Sequence, residues 1–143
     1  VSGPYADANT AIRALWTSDF STSVSGAVVR WAENANETIP AADYWLHNEV
    51  EFTSEDIVAF GGGRALNERE IFGRVCVLVM SRRGRGESSG LTLLDDALAT
   101  FRSKRSGGLS FVGASAMPDP APSADGLWWV RTGIASFTYR FQG

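Results

Sequence analysis

Over residues 7–17, Ile12, Leu15 and Trp16 recur at helical spacing behind Asp7, a side chain able to cap a first turn, and the pattern predicts an amphipathic helix. A Ser/Thr-rich link leads to the short β-branched run Ala27-Val28-Val29-Arg30-Trp31, a predicted strand, and residues 33–37 read as a turn. After Pro40 the pattern changes to period two. Tyr44, Leu46, Val50 and Phe52 fall on one face, with Trp45, His47, Glu49 and Glu51 on the other, which predicts a half-buried strand with a polar outer face. Gly61-Gly62-Gly63 reads as a hinge or loop. Residues 71–80 are apolar on both faces, as in a central strand covered on both sides. Beyond the loop at residues 81–90, Leu91, Leu94, Leu98 and Phe101 form one narrow stripe, and Ser88 or Ser89 is placed to cap the second predicted helix. Residues 109–116 read as a strand, residues 118–126 as a proline-rich loop, and residues 127–141 as a long closing strand.

Most of these connections are too short for parallel crossovers, so hairpins are expected to dominate. The expected fold class is α+β: a mostly antiparallel sheet of four to five strands with two helices packed on one face. No internal repeat or change of composition divides the 143 residues, so one domain spanning residues 1–143 is expected.

Composition changes this picture little. A 44% hydrophobic and 20% charged chain is ordinary for a folded globular protein. No apolar run approaches the roughly 20 residues of a membrane-spanning helix, and no membrane partner is expected. Val1 to Pro4 shows no basic-then-apolar segment, and the chain is expected to begin there after loss of an initiator methionine. Charge says more. Residues 1–70 hold 4 basic and 11 acidic groups, whereas residues 71–110 hold 7 basic and 3 acidic ones. That division suits either a molecule that docks against copies of itself or plain solvation of exposed strands and loops.

Candidate chemistry is sparse. His47 is the sole histidine and Cys76 the sole cysteine, so a zinc or iron cluster built on these residue types is not expected, and an intrachain disulfide is excluded. Cys76 sits inside a predicted central strand, where a thiol is inert, and no Gly-x-Ser-x-Gly elbow is present. The glycine-rich stretches lack the lysine of a phosphate-binding loop. No cofactor is expected and no enzyme activity is indicated. Two groups remain. Arg82, Arg83 and Arg85 form a compact basic loop suited to a partner's carboxylates or to phosphates, or simply solvated, and a subunit interface is the expected role. Glu49 and Glu51 share the outer face of their strand, as a solvated face or a channel lining would require.

The order of the pieces carries a resemblance. An N-terminal helix, a strand at Val28-Val29-Arg30-Trp31, a segment from Pro40 to Trp45 opening a strand, and Arg69-Glu70-Ile71-Phe72-Gly73 leading into a buried strand come first. An Arg/Gly loop, the helix Leu93-Leu94-Asp95-Asp96-Ala97-Leu98 ending at Phe101, Asp125-Gly126-Leu127-Trp128-Trp129, and a final Phe137-Thr138-Tyr139-Arg140-Phe141 follow. Over nearly its whole length the chain resembles the tail terminator family of long-tailed phages, which includes related minor tail proteins. The resemblance implies an α+β subunit of a hexameric ring at the head-proximal end of the virion tail, assembled in the host cytoplasm. It implies as partners other copies of the chain, the tail tube protein, and a head-completion or stopper protein, with DNA passing through the lumen without specific binding. Glu49 and Glu51 are then candidates for an acidic lumen face. Head-closure or tube subunits share much of this order, and a small-ligand binding domain is the remaining alternative.

Overall fold

In a computed structural model of the chain, residues 3–34, 39–61, 67–118 and 120–143 are described. Parts of the expected turn at 33–37 and of Gly61-Gly62-Gly63 lie outside them. The first helix, α1, runs Pro4–Asp19, longer than the pattern indicates. Pro4 rather than Asp7 starts it, since proline at the first helical position gives up no hydrogen bond that the helix would make. Strand β1 (Val28–Trp31) and a short 3-10 turn (Ala32–Asn34) lead to β2 (Tyr44–Ala59) and β3 (Glu68–Arg82). Helix α2 (Ser88–Phe101) follows, then β4 (Arg105–Ser106), β5 (Leu109–Ala116), β6 (Ala121–Pro122) and β7 (Trp128–Gln142).

The strands form one sheet in the order β1-β2-β3-β7-β5-β4, with β6 paired to β7. The expected mostly antiparallel sheet of four to five strands is overturned: seven strands form a mixed sheet that curls into a half-barrel. β1 lies parallel to β2, with Val28 beside Trp45 and Trp31 beside Asn48. The connection at residues 32–43 supplies the dozen residues that a parallel crossover needs. The two further strands, β4 and β6, span two residues each, too short to leave any periodicity in the sequence.

Both helices pack on one face of the sheet. Ile12 and Trp16 of α1 and Leu93, Leu94, Ala97, Leu98 and Phe101 of α2 meet Leu46, Val75, Val77, Val79, Leu109, Phe111, Ala135 and Phe137 from the strands. On α2 the stripe is displaced from the expected one: Leu93 is fully buried, whereas Leu91 is 39% exposed. Contacts with both α1 and the sheet widen the buried arc beyond one seam.

Gly73 marks the closest backbone approach in the sheet. It lies opposite Phe52, where β2 carries a bulge between Phe52 and Ser54. A Cβ there would stand 2.5 Å from the Glu51 carbonyl oxygen and 2.6 Å from the Phe137 ring. Because a backbone atom cannot swing aside, Gly73→Ala is expected to destabilise the fold by about 1–3 kcal/mol. The check is urea unfolding, with a lower midpoint at unchanged slope.

Candidate assembly surfaces

The helix-free face of the sheet is not uniformly polar. Trp45, expected on a solvated face, is 3% exposed and Trp128 is 5% exposed. Their rings meet edge to face at 5.9 Å between centroids. Arg30 covers Trp45 at 4.7 Å and Arg82 covers Trp128 at 5.4 Å, so two cations roof an aromatic pair that the sheet alone would leave open. Farther along β2, alternation places Glu49 and Glu51 on this same face, as expected, with Glu49 exposed. Arg74, opposite Glu51 on β3, binds its carboxylate at 2.6 Å. Arg140 reaches both Glu68 (3.4 Å) and Glu70 (3.3 Å). The face is thus a checkerboard of charges, and among the described residues Glu49 and Asp56 form no ion pair.

The basic loop is tied to its own chain. Arg82 and Arg85 each stand 3.6 Å from a different carboxylate oxygen of Asp43. The Arg83 guanidinium donates to the Gly126 carbonyl at 3.4 Å. The Tyr44 hydroxyl donates to the carbonyls of Arg85 (2.8 Å) and Gly86 (3.2 Å). Gly84 and Gly86 take positive φ angles of 87° and 89°, which lets so short a loop turn back on itself. Over half of the Arg82 and Arg85 side-chain surface stays exposed, at 53% and 59%, so both are held in place yet accessible.

Just beyond the loop, Glu87 joins α2 to the closing strand. It accepts hydrogen bonds from Arg131 and from the Trp129 indole. The Arg131 bond first, then the indole, hold its carboxyl below the ordinary 4.5. A depressed folded-state pKa adds stability above the unfolded value, and that stability is lost as pH falls through the folded value. The expected result for Glu87→Gln is a melting temperature below that of the parent at neutral pH, a difference that closes well below pH 4.5. Thermal melts at the two pH values check it.

His47 is half-buried beside Arg30, whose Nε donates to Nδ1 at 3.4 Å. Burial first, then the Arg30 charge, lowers its pKa and favours the neutral ring. Burial likewise raises the Cys76 thiol, against any role as a nucleophile. Among the described residues no three His, Cys, Asp or Glu side chains converge as a metal would need, and no helix is long and apolar enough to cross a membrane.

Sheet topology brings out a feature that loop-by-loop reading misses. β1 pairs with β2 only over residues 45–48, so among the described residues the outer edge of β2 is open from Glu49 onward. β2 carries Glu49, Glu51, Glu55 and Asp56 and no lysine or arginine. At the other end, β4 pairs with β5 at Leu109 and Ser110 and the Phe111 N–H donates to the Lys104 carbonyl at 2.9 Å, so among the described residues the β5 edge is open only beyond Phe111. Here stand Arg102, Lys104 and Arg105, and no acidic residue occurs between Asp96 and Asp119. Some charge is met internally, Glu55 by Arg69 (3.1 Å) and Lys104 by Asp19 (2.9 Å). Arg102 and Arg105 are exposed and form no ion pair among the described residues. The acid-free run was visible in the sequence; its place at the end of the sheet opposite β2 was not.

No family model matches the chain, and no curated protein matches it. A solved structure of a protein that bears no descriptive name is similar in fold, with a TM-score of 0.60 and 22% sequence identity over 94% of this chain and 97% of that chain. At that identity the likeness concerns the fold alone.

Proposed function

We propose that this chain is a non-enzymatic structural subunit that assembles with copies of itself into a closed ring, and that the ring caps a phage tail tube. One observation carries the first part: the sheet ends in two open edges of unlike charge, acidic along β2 and basic beside β5. A ring needs two different patches on each subunit, each fitting the other on its neighbour, and this pair meets that need. Because both helices occupy one face of the sheet, the helix-free face is the one available to line a lumen. Glu49 and the Arg74-paired Glu51 lie on it, giving DNA a lining of alternating charge with little net attraction.

The second part rests on the resemblance to tail terminators. In this reading the ring is a hexamer on the last ring of tube protein; it stops tube growth and offers its other side to a head-completion or stopper protein. It belongs to the head-proximal end of the virion tail, with assembly in the host cytoplasm. Mixing the purified chain with polymerising tail tube protein tests this under the electron microscope. Rings seated on tube ends and shorter tubes are expected. Tubes of unchanged length with bare ends, or long tubes built from this chain alone, overturn the tail-capping role.

A further inference from the structure

We propose that the cleft beside the end of β1 binds a primary carboxamide, the side chain of an asparagine or glutamine carried by a partner protein. The site is complete within one subunit, so this inference holds or fails apart from the ring.

Asn48 is the starting point. It stands between Leu46 and Val50 on the side of β2 that faces the helices, a position whose parity calls for an apolar side chain. The residue is 0% exposed, and among the described residues neither its amide nitrogen nor its oxygen has a hydrogen-bond partner. Buried amides are normally paired, and an unpaired one is costly. Arg13 of α1, which borders the same cleft, keeps its Nε buried and likewise without an acceptor. Two nitrogens with unused donors and one unused acceptor oxygen thus meet at one place.

Size narrows what could answer them. The cleft measures about 160 Å³ and is shared with Trp31, Glu33, Glu49 and Val50. A liquid water takes about 30 Å³, so about five would fit, more than a single ordered water bridging Asn48 and Arg13 would fill. Pockets for whole small molecules start near 300 Å³, about twice this volume. One side chain fits it. The cleft also lies where β1 stops pairing, at Trp31 and Asn48, beside the open edge of β2, so a side chain from another protein has a short way in.

Chemistry narrows it further. A primary carboxamide carries its C=O and one N–H on the same side, whereas a trans peptide group carries them on opposite sides. The carboxamide therefore meets Asn48 in two parallel hydrogen bonds, donating its N–H to Oδ1 and accepting from Nδ2. The second lone pair of its oxygen accepts from Arg13 Nε. Charge selects the same group. Arg13 is answered by its ion-pair partner Glu33, and Glu49 adds a further negative charge, so the lining disfavours a carboxylate. A cation would leave the donors of Asn48 and Arg13 unused.

Arg13 is also the cover. Its guanidinium lies 4.4 Å from the centre of the Trp31 ring and pairs with Glu33, whose side chain is 58% exposed. An ion pair so open to water adds little, and Arg13 shifts for an entering group that satisfies Asn48.

Saturation-transfer NMR on the unmodified chain tests the site with the N-acetyl N-methylamides of glutamine, glutamate and leucine, and with free glutamine. Capped glutamine is expected to bind, with capped glutamate and capped leucine at least about tenfold weaker. In Asn48→Leu its binding should fall at least about tenfold. The urea midpoint of that variant should equal or exceed the parent's, because an apolar side chain of similar shape removes an unpaired amide. If Asn48→Leu does not fold, Arg13→Met, which keeps an unbranched side chain against Trp31 and removes Nε, must lower the binding instead. Capped probes that all bind alike, capped glutamate that binds best, or capped glutamine that binds the variant as well as the parent overturns the carboxamide site. No binding of any probe overturns it too, and means that water alone meets Asn48. Free glutamine that binds more tightly than the capped form assigns the cleft to a free amino acid and overturns the partner side chain.

Discussion

Phe101→Ala is expected to destabilise the chain by about 3–5 kcal/mol. Phe101 is fully exposed to neighbours and not at all to solvent, at 0%. It ends α2 between Trp16 of α1, 5.5 Å away between ring centroids, and Phe111 of β5 at 4.8 Å. Phe111 in turn meets Phe137 of β7 at 5.8 Å, so one ring joins both helices to the sheet. Removing it leaves a cavity that three separate elements would have to collapse together to fill. Urea unfolding measures the loss, and an effect under about 1 kcal/mol would mean that the site repacks and that the aromatic chain does not hold the layers together.

Reversing charge at the basic end, Arg102→Glu with Arg105→Glu, is expected to abolish ring formation while leaving the subunit folded. Both side chains are exposed and unpaired within the described chain, so the fold loses little. At the seam, glutamates would stand against the acids of β2, and like charges brought together cost several kcal/mol, a weakening of at least about a hundredfold in association. Added salt should restore part of it by screening. Combining these changes with Glu49→Lys and Asp56→Lys should restore rings at ordinary salt, because neither acid forms an ion pair within the described residues. Light scattering before and after the compensating pair reads the result; rings that survive the arginine reversal would remove electrostatics from the contact.

The sequence made some of this legible. Period two over residues 44–52 placed Glu49 and Glu51 on the face away from the helices, and the apolar run at residues 71–80 marked the central strand, β3, in the position it occupies. Trp45 shows where the pattern stops short. Its parity was readable, but its burial depends on Trp128, 83 positions later, and on Arg30 folding over it. Alternation assigns a face and cannot say whether a distant segment covers it. The arginine loop is similar. Three arginines and two glycines are plain in the chain, yet Asp43, which takes two of them, is brought there only by the pairing of β2 with β3. β4 and β6 were missed for a related reason, since strands of two residues are defined by their neighbours rather than by any period of their own, and β1, read as a strand, gave no sign of its parallel pairing with β2. The placement of the two charged edges at opposite ends of the sheet is more remote still. It follows from the strand order, and no local stretch of sequence contains it.

The proposal that copies of this chain close into a ring is tested most directly by sedimentation of the unmodified chain across a wide range of concentration. The account predicts one assembled species of fixed mass, reached at a plateau and not exceeded as concentration rises. A subunit that remains single throughout, or a mass that grows without limit, contradicts it.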